Sequence, residues 1–133
     1  MQQRPSNTEL LRAVAQFLLA EAYPAIADKR LNFRVLIAAN LANVVATELE
    51  MGPSLMESEL SRLTALLPDV RGGDEGESPA QRVARLNEEL VRRLRSKQLD
   101  ERHRQQVWSH VKQTLIDTLG IVNPRFDTSA EIE

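Results

Sequence analysis

The apolar side chains of this chain recur at three- and four-residue intervals over almost its whole length, and nowhere do β-branched residues alternate long enough to make a strand. That periodicity restricts the fold to helices. Leucine and alanine fill 33 of the 56 apolar positions, and both enter helices at low cost, so composition agrees with pattern. A chain of 133 residues is the usual size for one core. The expected architecture is an all-α, single-domain bundle of about five helices over residues 1–125, with an acidic loop at 68–77 and a flexible tail at 126–133.

Helix boundaries follow from capping residues and prolines. Ser6 and Glu9 stand at capping-box spacing, and Leu10, Val14, Phe17, Leu18 and Ala22 form the first stripe. Pro24 is expected to end or kink that helix. The longest helix is predicted over about 31–51, stopped by Gly52 and Pro53. Phe33, Ile37, Leu41, Val44, Val45 and Leu49 run nearly all round it, which predicts a central helix covered on several sides. A second capping box, Ser54 with Glu57, opens a third helix carrying Leu60, Leu63 and Leu67. Ser78, Pro79 and Gln81 open a fourth, faced by Val83, Leu86, Leu90 and Leu94, and Asp100 caps a fifth, faced by Val107, Trp108, Val111, Leu115 and Leu119.

The chemistry available is narrow. With no cysteine there is no thiol nucleophile, disulfide or thiolate metal site. His103 and His110 are seven residues apart, about 10 Å along a helix, too far for one metal ion. Gly72, Gly73 and Gly76 are interleaved with acids, which would repel a phosphate, and no Gly-x-Ser-x-Gly elbow occurs. No catalytic residue, metal or cofactor is therefore expected. The most apolar run, 35–46, is shorter than the roughly 20 residues that span a bilayer, and the first residues lack a secretory pattern. A cytoplasmic chain with no membrane segment is the expectation. Asn40 and Asn43 interrupt the helix predicted to be buried, where carboxamides must find partners on a neighbouring helix or line a polar pocket. Trp108 is expected in the core, and Glu21 near its helix end is expected to reach water or a basic neighbour.

A near-neutral total of −2 hides an uneven distribution. Residues 48–78 carry eight acids against two bases, and residues 80–112 carry nine bases against four acids. Arg82, Arg85, Arg92 and Arg93 are the candidate docking face for an acidic partner; pairing with the acidic third helix is the plainer alternative. Nucleic acid through residues 82–104 ranks lowest, since no aromatic residue is interleaved to stack a base.

The stretch from Arg34 through Asn40-Leu41, Val44-Val45 and Glu48-Leu49-Glu50, preceded by Arg4-Pro5 and Glu9-Leu10-Leu11, resembles a small uncharacterised bacterial family of domain-of-unknown-function type. Leu86-Asn87-Glu88-Glu89-Leu90 and Val122-Asn123-Pro124-Arg125 are similar too. Thr47 departs from the pattern, standing where the family usually has a basic residue. The resemblance implies genes encoded beside aminoglycoside-phosphotransferase-like kinases and acyl-CoA dehydrogenases. Asn40, Glu48 and Arg34 become the candidate ligand- or partner-binding residues. The expected function is a non-catalytic accessory domain that binds a larger enzyme of one of those two kinds. A bundle binding an acyl-CoA or a phosphorylated metabolite is the alternative, and a homo-oligomer is left open.

Overall fold

In a computed structural model, residues 4–129 are described; of the expected tail, residues 130–133 lie outside them. Every regular element among the described residues is helical: α1 (Asn7–Phe17), a π turn (Leu18–Ala22), α2 (Tyr23–Ala25), α3 (Lys29–Leu66), α4 (Pro79–Arg95) and α5 (Glu101–Val122). The all-α class is as expected. With α1, the π turn and α2 following one another without a break as one rod, the described residues form four rods where about five were expected, because the two helices expected at about 31–51 and from Ser54 to Leu67 are one.

One proline, Pro53, explains the difference, and Pro24 behaves as expected. The first rod ends at Ala25, one residue past Pro24, and just before the proline the π turn shifts the backbone register so that the Tyr23 N–H reaches the Leu18 carbonyl, five residues back. That wider turn makes room for a ring that has no N–H to give. Pro53 lies inside α3, which runs through the position where two helices were expected to meet. The residue before a proline is normally pushed out of the helical region by its own Cβ, and Gly52 has none. The helix survives with one backbone hydrogen bond missing.

The chain divides at Gly52–Pro53 into two units. In the first, the α1 rod and the first half of α3 meet along a seam of small residues. Ala15, Ala39 and Ala46 are its fully buried members, with Leu11, Leu18 and Ala22 on one side and Asn32, Val35 and Ala42 on the other partly covered. These positions alternate by three and four, the spacing of a coiled-coil seam. Arg12 pairs with Glu50 at 2.6 Å across it. At the turn, Asp28 accepts the Leu31 N–H at 2.7 Å, and the Asn32 amide donates to the Tyr23 carbonyl at 2.5 Å.

An alanine seam leaves the large side chains outside. Leu10, Val14 and Phe17, expected to face inward, are about half exposed, and so are Ile37, Val45 and Leu49, while Phe33 reaches 61% and Leu41 58%. The expected central helix therefore has no cover over its face through Leu41. One neighbour can shield only one side of a helix that is apolar nearly all round.

The second unit holds the packed core. Leu63 from α3, Leu67 just past its end, Leu86 and Leu90 from α4 and Val107 from α5 are buried together, flanked by Leu60, Val70, Val83 and Leu99. Leu60, Leu63, Leu67, Val83, Leu86, Leu90 and Val107 stand where the sequence stripes put them. Trp108 does not: it is 55% exposed, with Val111 and Leu115 beside it. Successive helical residues point about 100° apart, so once Val107 turns inward Trp108 turns outward. The expected Ser78–Gln81 box caps α4, and Asp100 caps α5 by accepting the His103 N–H at 2.8 Å. Between α3 and α4 the acidic loop turns at Asp74–Glu77, where Gly76 adopts φ 100°.

By length and composition α3 could cross a membrane, since an 18-residue window of it has mean hydropathy 1.2. Core helices of water-soluble proteins meet the same test.

Candidate functional site

Arg34, Asn40 and Glu48 all lie on the first half of α3, and all three are exposed. Arg34 and Glu48 are fourteen residues apart, four turns less a little, so they point the same way about 21 Å apart, with Leu41 midway between them. Asn40 sits to one side of that line. The three do not converge on one point and do not share a closed cavity. Asn43 is partly buried, and its carbonyl accepts the Thr47 hydroxyl at 2.9 Å. Thr47, standing where the resemblance leads one to expect a basic residue, thus makes a local backbone contact. Among the described residues no buried side-chain nitrogen or oxygen lacks a partner. Glu21, on the π turn, is exposed.

The arginines of α4 are largely engaged within the chain. Arg85 clasps Glu77 through two bonds of 2.7 and 3.1 Å, anchoring the acidic loop to the helix. Arg93 bridges Asp69 at 2.6 Å and Glu89 Oε1 at 2.7 Å, and Arg92 donates to both Glu89 oxygens, to Oε1 at 2.7 Å and to Oε2 at 2.8 Å. Hydrogen bonds from Arg92 and then Arg93 hold the Glu89 carboxyl down at about 2, far below its ordinary range. Asp69 and Glu77 are lowered too, each first by the bond from its arginine. Of the four expected docking residues only Arg82 has no ion pair among the described residues; Arg95, Arg102 and Arg104 share that state. A shallow groove of about 650 Å³ follows the outer side of α4, lined by Asn87, Glu88, Val91, Arg92 and Arg95.

One constellation escaped the sequence reading. In the second unit Arg62 points from α3 to α5, where its guanidinium donates to Thr114 Oγ1 at 3.3 Å and Asp117 Oδ2 at 3.2 Å and its Nε approaches His110 Nδ1 at 3.4 Å. Gln113 holds the other Asp117 oxygen at 2.8 Å. His110 is buried. Burial lowers its pKa first and the Arg62 charge lowers it further, against an opposing pull from Glu59. A neutral ring accepting at Nδ1 is the state that fits a guanidinium neighbour. The spacing of His110, Thr114 and Asp117 marks one helical face, but nothing in the sequence says that Arg62, 48 residues earlier, completes it. The cluster fastens two helices, with Arg62 and Gln113 occupying His110 Nδ1, Thr114 Oγ1 and both Asp117 oxygens. His103 is exposed, its ring bonded to Asp100 at 2.6 Å. Among the described residues no three metal-binding side chains gather.

The sequence motif around Asn87 is explained by packing. Leu86 and Leu90 enter the core, Asn87 donates to Glu59 of α3 at 3.2 Å, and Glu89 takes the two arginines. Comparison with curated proteins and with solved structures gave no match. A family model does match, over residues 24–126, which takes in α3, α4 and α5 whole. The chain belongs to that family, described as a domain of unknown function (DUF6285).

Proposed function

We propose that this chain is a non-catalytic interaction domain of the cytoplasm that docks on a larger enzyme, of the phosphotransferase-like kinase or acyl-CoA dehydrogenase kind to which the sequence resemblance points. The observation that supports this reading is the outward stripe of α5. Trp108 stands 55% exposed with Val111 and Leu115 on the same side, and Arg104, one turn earlier, has no ion pair among the described residues. Tryptophan and arginine are the residues that most often dominate binding energy at protein interfaces, because a large ring and a fixed guanidinium fork gain much contact for little lost freedom. The α4 arginines contribute less than their number suggests, since Arg85, Arg92 and Arg93 already have acidic partners.

The test is co-purification of the tagged chain with each candidate enzyme. Trp108→Ala should weaken the complex by about thirtyfold or more, the loss typical of a hot-spot residue. Raising the salt should weaken it further through screening of Arg104 and its acidic counterpart. Association with neither enzyme, or association indifferent to Trp108→Ala, would overturn the reading.

A further inference from the structure

We infer that the outward face of α3 between Arg34 and Glu48 is the contact surface for a second copy of this chain, paired antiparallel about a two-fold axis at Leu41. This goes beyond the proposed docking on an enzyme, which uses α5.

The face is defined by what the alanine seam leaves out. Phe33, Ile37, Leu41, Val45 and Leu49 follow one another at intervals of four and are all at least 43% exposed. Five large side chains about half uncovered present on the order of 450 Å² of apolar surface. A standard interface takes roughly 800 Å² from each partner, and Ala38, Val44 and the stems of Arg34 and Glu48 lie on the same side to supply the rest. A continuous apolar patch of a few hundred Å² is of the size that marks an interaction site.

The order of residues selects the partner. Charges sit only at the two ends: Lys29, Arg30 and Arg34 at one, Glu48 and Glu50 at the other, with none over residues 35–47. Three cations in the first turns of a helix oppose its dipole, so local helix electrostatics do not account for them. A second copy laid antiparallel does. With the axis at Leu41, Arg34 of each copy meets Glu48 of the other, Ile37 meets Val45, Phe33 meets Leu49, and Leu41 meets itself. Arg34, Leu41 and Glu48 are spaced by seven, so the axis residue and both charged pairs lie on one line along the helix. A surface that reads the same from both ends is what a two-fold contact requires. The first unit has its own reason to need such a contact, because among its described residues only three alanines are fully buried.

The experiment is light scattering on the full chain, with circular dichroism to follow helicity. The wild type should run at about twice 15.0 kDa. Leu41→Glu places two carboxylates on the axis and should raise the dimer dissociation constant by about thirtyfold or more. Because that variant could also unfold the first unit, charge reversals supply the decisive arm. Arg34→Glu and Glu48→Arg should each weaken the dimer, and an equimolar mixture of the two should restore it as a heterodimer. The sequence has no cysteine, so Leu41→Cys should also cross-link to itself on mild oxidation. A monomeric wild type, a dimer indifferent to Leu41→Glu, failure of the mixed variants to pair, or a chain that stays monomeric in buffer and sediments with phosphatidylcholine vesicles would each overturn the inference.

Discussion

His110 and Leu63 show how differently one buried side chain can hold this chain together. Leu63 is completely covered in the second unit, so Leu63→Ala should cost about 2 to 5 kcal/mol of stability, read as a lower urea midpoint with little change in slope. His110 contributes through its protonation state. Its pKa is lowered in the fold, so the unfolded chain, titrating near 6.5, binds the proton first. Stability is then full above that value and falls with pH as the folded ring is forced to accept a proton beside Arg62. The expected slope between pH 6.5 and 5 is at most about 1.4 kcal/mol per pH unit. Urea titrations at several pH values should show it, and His110→Gln should flatten it; an unchanged slope would remove His110 as the cause. Sequence spacing could place His110 on a helix, but its cover comes from residues of α3 far away in the chain.

The four rods carry two features that local rules alone would not select. Pro53 sits in the interior of α3, where a proline costs about 3 kcal/mol relative to alanine. Pro53→Ala should therefore raise the melting temperature, with a gain of up to about that size. At the end of α4, Lys97 takes the left-handed conformation at φ 54°, and the Gln98 N–H reaches the Arg93 carbonyl at 3.2 Å in a Schellman closure. A glycine is the usual residue there, so Lys97→Gly should stabilise by about 1 kcal/mol, measured by denaturant titration. The capping boxes at Ser6 and Ser78 were legible because they depend on residues three apart. The passage through Gly52–Pro53 was not, since the same two residues serve equally as a stop signal or, with no Cβ before the proline, as a tolerated step.

At the scale of the whole molecule the loop between α3 and α4 is the exposed point of the second unit. Arg71 lies in it, exposed and unpaired among the described residues, while Glu77 is tied down by Arg85. Trypsin in limited amount should cut first after Arg71, and mass spectrometry of the early fragments should show 1–71 and 72–133; first cleavage inside α4 or α5 would contradict the arrangement. What the sequence determined by itself was whatever is decided over three or four residues: the helical class, the caps, and the core positions Leu63, Leu67, Leu86, Leu90 and Val107. Tertiary structure decided which apolar faces find cover. Asn40, Glu48 and Arg34 came out on an open face, and Trp108 turned to solvent, because periodicity says that a stripe is apolar and not that a neighbour is there to bury it. Burial is a property of two surfaces in contact, and a single sequence displays only one of them.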